Sequence, residues 1–337
     1  MLSVPRVRGG FRWHDGERTI RFGRGAVQEA VGLLGGPGYV LLSTPRALGV
    51  APGVAEAAGQ VVEVAAGRVD ELAGGLLGSV RGERLVALGG GRVIDVAKAL
   101  AAASGGGARA MAVPTTLSGA EMTRGHRRAA GAPPGAAGVR PAVVVNDPAL
   151  SASQPEPELA ASALNALGHA AEGPCTPRAH PVATLAALEA ARLLVTSFRR
   201  ADAPPDRDAL ALGALLAGYT IDSTSYGLHH VLAQTLARVA GVAHAQANAV
   251  LLPHTLGALA WRFSAWYEQL GETLGGDPAE VAARLCARTG ATTLRELGVE
   301  DAALDACADA AAERPDLELT PPRADRAELR ALYEHAH

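Results

Sequence analysis

The first 148 residues alternate between short apolar runs and helical patterns, and this alternation limits the possible folds more than any other feature. Apolar runs bounded by turn residues occur at 38–43, 61–64, 84–88, 110–114 and 143–145. Helical spacing of apolar residues occurs between them, at 25–34, 69–80 and 93–103. Strands that alternate with helices favour right-handed crossovers and a parallel sheet. Residues 11–23 alternate and turn midway, which predicts a hairpin or an edge strand.

From Ala149 onward the alternation disappears and helical patterns follow one another. They cover 162–173, 185–198, 209–223, 228–239, 249–270, 280–289 and 324–333, with a Pro-containing connector at 314–322. A chain of 337 residues exceeds the size at which one hydrophobic core usually stops growing. We therefore predict an α/β domain with a parallel, Rossmann-like sheet at 1–148 and an all-α domain at 149–337.

Composition excludes several classes of partner. The net charge of −3 argues against a nucleic acid or an anionic membrane surface, since both favour a basic face. The three cysteines have no metal-type spacing, which is typical of small buried side chains in a reducing compartment. The N-terminus lacks an apolar segment of signal-peptide length, and no run reaches roughly 18 apolar residues. We expect a soluble, cytoplasmic protein that binds a small molecule.

Three glycines, Gly89, Gly90 and Gly91, directly follow the strand predicted at 84–88 and precede a helix. Such a turn lets backbone N–H groups approach a phosphate at a helix N-terminus, although neither GxGxxG nor a P-loop is present. Asp95 and Lys98 follow on that helix, where they would meet a ribose hydroxyl and a charged oxygen, or form a surface ion pair. Lys98 is the one lysine among 31 basic residues, which favours a position that needs a compact ammonium.

Two helical stretches of the second half concentrate histidines and amides. His230 and Gln234 lie one turn apart on one face of the helix at 228–239, while His229 is turned away by about 100°. His244 follows a turn and could fold back beside that face. In the helix at 162–173, an amide, an imidazole and a carboxylate share one face: Asn165, His169 and Glu172. Each histidine taken alone is more typical of a packed core or surface side chain.

A Gly/Pro/Arg-rich segment at 124–140 separates the last two strands of the first half. It carries four basic side chains that would receive a substrate carboxylate or a cofactor phosphate, or would form a solvated basic edge: Arg124, His126, Arg127 and Arg128.

Two motifs resemble the iron-containing alcohol dehydrogenase superfamily, with its dehydroquinate synthase-like fold. They are GGG-x3-D-x2-K at 89–98 and PTT-x2-G-x-E at 114–121. The segment PTTLSGAEMT and the strand end at 42–45 are most similar to the maleylacetate reductase branch. The resemblance implies an active site in the interdomain cleft, a homodimer, and NAD or NADP held by Ser43, Gly89, Gly90, Gly91, Asp95, Lys98, Thr115 and Thr116.

Metal-dependent members of the superfamily hold a cation with one Asp and three His. The matching positions here are Asn165, His169, His230 and His244. An amide oxygen is a weaker ligand than a carboxylate, although three histidines alone can hold Zn²⁺. Because the branch it resembles carries a similar Asn and is regarded as metal-independent, we expect no catalytic metal. An imidazolium would then donate the proton, with His244 or His230 as the principal donor, His169 as a further candidate and Asn165 as an orienting partner.

The sequence also departs from the family at three positions. Gln234 stands where His is common, Arg92 replaces Ser or Thr after the glycines, and Ala120 replaces Ser in the PTT loop. The resemblance implies an NAD(P)H-dependent reductase of a small oxo acid or enone acid, with a carboxylate-bearing substrate. The alternatives are a repurposed enzyme that catalyses a non-redox cyclisation or condensation, and a catalytically silent binding subunit.

Overall fold

The computed structural model describes residues 10–135, 137–198 and 203–337. The first nine residues lie outside the described residues. The expectation that the N-terminus lacks a signal-peptide segment falls mostly on them. The described chain divides into two compact units. One contains the residues up to Thr116 together with Ala120–Ser153, and the other contains Leu117–Gly119 together with Gln154–His337. None of the helices in the described ranges would span a bilayer.

The first unit is built on a seven-stranded sheet. Its strands are β1 (Phe11–Asp15), β2 (Arg18–Phe22), β3 (Tyr39–Ser43), β4 (Ala58–Glu63), β5 (Arg84–Gly89), β6 (Arg109–Pro114) and β7 (Val143–Asn146). They lie in the order β1-β2-β7-β6-β5-β3-β4, with β1 and β2 antiparallel and the other pairs parallel. The predicted parallel sheet and its N-terminal hairpin are confirmed.

Helices cover both faces of this sheet. They are α1 (Ala30–Leu33), α2 (Pro45–Leu48), α3 (Pro52–Glu56), α4 (Val69–Leu76) and α5 (Gly91–Ala103). Successive residues of a strand point to opposite faces, so Leu42 and Ala87 pack with α5 while Leu41 and Val86 join the core on the other face. Burial on both faces explains why the central strands are continuous apolar runs.

Two predicted helices of this unit are shorter than expected. The stretch at 25–34 begins as a 3-10 turn, Ala26–Glu29, and continues for only one α-helical turn. The helix predicted at 69–80 ends at Leu76, within a run that contains Gly74, Gly75 and Gly78. Each glycine in a helix interior costs about 1 kcal/mol relative to alanine, which favours an early end.

The second unit is helical, as predicted. Its helices are α6 (Glu156–Glu172), α7 (Pro181–Thr196), α8 (Arg207–Thr224), α9 (Leu228–Val239), α10 (His244–Arg262), α11 (Ser264–Leu274), α12 (Pro278–Cys286), α13 (Asp301–Ala312) and α14 (Arg326–Ala336). Every residue of α6 from Leu159 to Glu172 is buried. Helix α6 packs against α7, α8, α10 and α12, so its polar side chains lie inside the unit.

Two helix predictions for this unit need correction. The single helix predicted at 249–270 is wrong, because Phe263 adopts a non-helical conformation (φ −136°, ψ 55°) that separates α10 from α11. The sequence analysis also missed α13, whose buried face consists of Leu304, Cys307, Ala308 and Ala311. Small side chains dominate that face, so its apolar periodicity is weak.

Candidate active site

The carboxyl ends of three parallel strands meet at one edge of the sheet. Ser43 pairs with Leu88, and Gly89 pairs with Pro114. The Ser43 hydroxyl donates to the Leu88 carbonyl oxygen over 2.7 Å, and the Thr115 N–H donates to the Gly89 oxygen over 3.0 Å. The structure therefore brings together the ends of β3, β5 and β6, which is where open parallel sheets bind ligands.

Two of the glycines at this edge leave little room for a side chain. A Cβ on Gly89 would lie 2.8 Å from Cγ2 of Val93, and one on Gly90 would lie 3.0 Å from Cγ2 and Oγ1 of Thr116. Gly90 is the N-cap of α5, and no side chain caps the helix there. The uncapped N–H groups of the first turn form a site that attracts a phosphate through the helix dipole.

The ion pair considered between Asp95 and Lys98 forms, but Lys98 is fully buried instead of lying at the surface. Its Nζ lies 2.7 Å from Oδ1 of Asp95 and also donates to the oxygens of Gly125, Ala120 and Thr123 at 2.7, 3.1 and 3.3 Å. The oxygens of Gly125, Ala120 and Thr123 occupy the three N–H donors of the ammonium, while Asp95 contributes an ion pair. Lys98 therefore holds the 120–125 loop in place, and its expected contact with a charged cofactor oxygen stays a prediction.

The basic segment at 124–140 fits the solvated alternative. The side chains of Arg124, Arg127 and Arg128 are exposed, and His126 is half-buried with its Nδ1 3.0 Å from the carbonyl oxygen of Arg127.

Histidines from α6 and α9 form a buried cluster in the second unit. The rings of His169 and His230 stack with centroids 4.6 Å apart and an interplanar angle of 20°. His229 meets the edge of His230 at 4.8 Å. His169 is 8% exposed, and His229 and His230 are buried more completely. Two of the residues expected to be catalytic, His169 and His230, are therefore in contact. Their catalytic roles stay predictions.

Glu172 connects α6 to the first turn of α9. Its Oε1 accepts from the His229 N–H at 2.6 Å, while its Oε2 accepts from the His230 N–H at 3.3 Å and lies 2.7 Å from His230 Nδ1. A carboxylate that caps a helix in this way only accepts, so Nδ1 carries the ring proton and Nε2 presents its lone pair. Sequence analysis placed Glu172 on the face of Asn165 and His169 but assigned it no role.

Polar atoms of the cluster remain buried without a hydrogen-bond partner among the described residues. They are Asn165 Oδ1, His169 Nδ1, His229 Nε2 and His230 Nε2. The amide nitrogen of Asn165 donates to the Ser118 oxygen over 3.5 Å, so one end of that side chain is held. A buried polar group that lacks a partner costs about 1–3 kcal/mol, and such groups are rare except where a ligand or water satisfies them.

Burial sets the protonation state of these histidines. The pKa of His229 and of His230 is lowered to about 3, mainly by desolvation, with a smaller contribution from neighbouring imidazoles. The same causes hold the pKa of His169 well below its usual range. The three rings are therefore neutral at pH 7. The expectation that a histidine donates the proton stays a prediction. Burial also raises the pKa of Glu172, against the effect of the N–H groups that donate to it.

His244 and Gln234, the other two residues expected to be catalytic, lie outside the buried cluster of rings. His244 is exposed at the start of α10, with its Nε2 3.2 Å from Nδ2 of Asn248. It still lies near enough to the buried rings to lower the pKa of His169 and His230. The Oε1 of Gln234 accepts from Arg314 over 3.1 Å. The structure thus brings together Asn165, His169 and His230, with His244 nearby and Gln234 bound to a guanidinium.

The four positions that match the family's metal ligands carry one amide and three histidines. Among the described residues, no three histidine, cysteine or carboxylate side chains are arranged to hold a metal ion. Asn165 supplies an amide oxygen, which is a weaker ligand than a carboxylate. The expectation that catalysis uses no metal, and the alternative of a three-histidine site, stay predictions.

A profile described as the C-terminal domain of the Fe-containing alcohol dehydrogenase family matches residues 159–337, which is more than half of the chain and includes α6, α9 and α10. The chain belongs to this family. The predicted superfamily membership is confirmed, and the histidine cluster lies within the matched region.

The relatives with similar sequences include maleylacetate reductases and 1,3-propanediol dehydrogenases. The chain is 33% identical to the maleylacetate reductase 1 of Rhodococcus opacus, over 67% of this chain and 65% of the relative. It is 33% identical to a 1,3-propanediol dehydrogenase of Citrobacter freundii, over 58% of this chain and 55% of the relative. The chain thus spans less than two thirds of both relatives. The crystal structure of maleylacetate reductase from Agrobacterium tumefaciens is 28% identical, with a TM-score of 0.82 and 98% coverage of both chains.

Proposed function

We propose that this protein is a nicotinamide-dependent reductase of a small oxo acid or enone acid, similar to maleylacetate reductase. The observation that carries the proposal is the set of unpartnered buried atoms on Asn165, His169 and His230. In a family member these atoms suit a substrate that carries oxygen, because a hydroxyl group would donate to Asn165 Oδ1 or His230 Nε2, while a carbonyl oxygen would accept from an N–H of His169. The expected homodimer and cytoplasmic location stay predictions.

The glycine turn of the first unit fits a dinucleotide. Ser43, Gly89, Gly90, Gly91, Thr115 and Thr116 would hold it, with a phosphate at the N-terminus of α5, where Cβ atoms on Gly89 and Gly90 would collide with Val93 and Thr116. When bound, the nicotinamide supplies or accepts a hydride.

The histidine cluster would transfer the proton to the substrate oxygen. Glu172 fixes the tautomer of His230, so Nε2 accepts a hydrogen bond from a substrate hydroxyl. A neutral His169 ring still has one N–H, which would polarise a carbonyl oxygen and donate as charge develops there. The exposed His244 would return the proton from solvent. This assignment shifts the donor from a resting imidazolium to neutral imidazoles.

Replacing His230 by alanine tests the proposal. We expect kcat to fall by roughly 100-fold or more, since general acid–base groups contribute on the order of 10²–10⁴. The affinity for NADH or NADPH, measured from cofactor fluorescence, should change less than about twofold, because His230 lies in the helical unit. Turnover would be followed with maleylacetate and NAD(P)H, and with 1,3-propanediol and NAD(P)⁺. The exposed His335 on α14, replaced by alanine, is the matched control.

Two outcomes would contradict the reductase. One is a flat fluorescence titration of the unmodified protein with both cofactors. The other is product formation without a nicotinamide, which would support the non-redox alternative.

Replacing Gly90 by alanine should weaken cofactor binding. The new Cβ would lie 3.0 Å from Thr116 and would project beside the N-terminus of α5. We expect the Kd for NADH to rise at least about tenfold, which corresponds to about 1.4 kcal/mol, with little change of kcat at saturating cofactor. Gly75→Ala on α4, where no atom lies within 4 Å of the new Cβ, is the control. An unchanged Kd would remove this turn from the cofactor site.

A further inference from the structure

Residues 314–320, which the sequence presents as a connector, lie against the first turn of α9. The segment contains a 3-10 turn, Pro315–Leu319, and the Oγ1 of Thr320 accepts from the Leu228 N–H over 3.0 Å. A Cβ on Gly227 would collide with that Oγ1, so only glycine permits the approach. The segment is therefore held beside the helix that carries His229 and His230.

Arg314 extends from this segment to the side of α9. Its Nη2 donates to the hydroxyl of Tyr226 over 3.2 Å and to Oε1 of Gln234 over 3.1 Å. Nε and Nη2 also contact Oδ2 of Asp316 at 3.1 and 2.8 Å. The side chain is 21% exposed. Within the described residues, all contacts of this guanidinium use Nε and Nη2, which leaves Nη1 to a ligand.

Tyr226 links this cation to the histidine cluster. Its ring centroid lies 6.0 Å from that of His230, at an angle of 51°. Burial raises the pKa of Tyr226, and Asp316 adds to the rise, so the phenol keeps its proton at neutral pH. Its oxygen accepts from Arg314, and Gln234 also lies within hydrogen-bonding reach of the hydroxyl.

We propose that Arg314 and Tyr226 form a subsite for a substrate carboxylate and thereby determine specificity, an inference that rests on the proposed function. A guanidinium edge and a phenol hydroxyl together match the oxygens of a carboxylate, and hydrogen bonds to such an anion are stronger than those between neutral groups. The Tyr226 ring lies 6.0 Å from the ring of His230, whose Nε2 is unpartnered, so an acid bound at Tyr226 would lie next to the histidine cluster.

The subsite also accounts for Gln234. A neutral amide oxygen orients the guanidinium without adding charge, whereas a histidine at this position would repel Arg314 when protonated. Gln234 would then be a positioning residue of the carboxylate subsite.

Removing the charge of Asp316 is a second test of the proposal, and its expected effect on acid binding is opposite to that of removing Arg314. Its carboxylate is 30% exposed and occupies one side of the guanidinium. A bound carboxylate would be repelled by Asp316, so neutralising this side chain should strengthen binding of an acid. Loss of Arg314 should weaken it.

The experiment measures equilibrium binding of 4-oxopentanoate and of its methyl ester to the full chain by calorimetry at pH 7 and constant ionic strength. For the acid, we expect Arg314→Met to raise Kd at least about tenfold, Tyr226→Phe to raise it about threefold, and Asp316→Asn to lower it. For the ester, each variant should stay within about twofold of the unmodified protein. Arg323→Met, which removes an exposed guanidinium from a neighbouring position, is the matched control.

Equal changes for acid and ester, or an acid affinity that none of the three variants alters, would overturn the subsite. If Arg314→Met fails to fold, judged by its circular dichroism, Tyr226→Phe and Asp316→Asn decide. Acid binding that depends on Arg314 without any oxidation of NADH or NADPH would keep the subsite and reject the reductase. Turnover of the ester and the acid with equal KM would support the reductase and reject the carboxylate subsite.

Discussion

Replacement of Glu172 by alanine is expected to lower the free energy of unfolding by about 3 kcal/mol or more, because one partner of a buried polar pair is lost. The carboxylate is fully buried and serves two backbone N–H groups and the His230 ring. Its removal leaves three donors at the start of α9 without an acceptor. Urea unfolding followed by circular dichroism measures the change, with the exposed Glu268→Ala on α11 as the control.

The variant Glu172→Gln separates stability from chemistry. The amide has the same size, and its oxygen can still accept from the His229 N–H, so we expect a loss of only about 1–2 kcal/mol. Its NH₂ group would face His230 Nδ1 and force the ring proton onto Nε2. Activity should then fall about as far as in His230→Ala. A fully active Glu172→Gln would show that the tautomer of His230 is irrelevant to turnover.

Replacement of Gly227 by alanine is expected to destabilise the fold by about 2–3 kcal/mol, as overpacking of a buried position does. The new Cβ would collide with Thr320, so either the start of α9 or the segment that ends at Thr320 must move. Such a shift would break the bond between Thr320 and the Leu228 N–H and would displace Arg314. Urea unfolding should show the loss of stability, and the acid-binding titration should show weaker binding.

A double variant identifies the cause of this loss. Thr320→Ala removes Oγ1, so Gly227→Ala should cost less in that background than in the unmodified protein. Gly257→Ala on α10 is the control, since no atom lies within 4 Å of its new Cβ and the position is exposed. That control should be neutral or stabilising by up to about 1 kcal/mol. Additive effects of Gly227→Ala and Thr320→Ala would rule out the collision as the reason.

The α/β half was predictable because its signals are local. Each central strand is an apolar run that both faces of the sheet bury, as the two cores around Leu41 and Leu42 illustrate. The glycine turn could also be placed, since a strand, three glycines and a helix follow one another directly. Helix ends were less accurate, and the break at Phe263 carries no glycine or proline that would have predicted it.

The candidate site was predictable only in part. Asn165 and His169 share a face of α6 by their spacing, and His230 stands out in a histidine pair. No local pattern predicts that Glu172 reaches His230 or that Arg314 reaches Gln234, since 58 and 80 positions separate the partners. The sequence also did not predict that Lys98 holds a loop, because two of its acceptors are backbone carbonyl oxygens, which every residue carries.

The sequence by itself determined the layered sheet, the helical second half, the family and the residue types of the site, because these depend on periodicity and short motifs. Only the tertiary structure decided which histidines are neutral, since their pKa depends on burial and on neighbouring rings from another helix. It also decided that Arg314 contacts Tyr226 and Gln234. Burial and contact arise from segments that meet only after folding, and a linear pattern does not contain them.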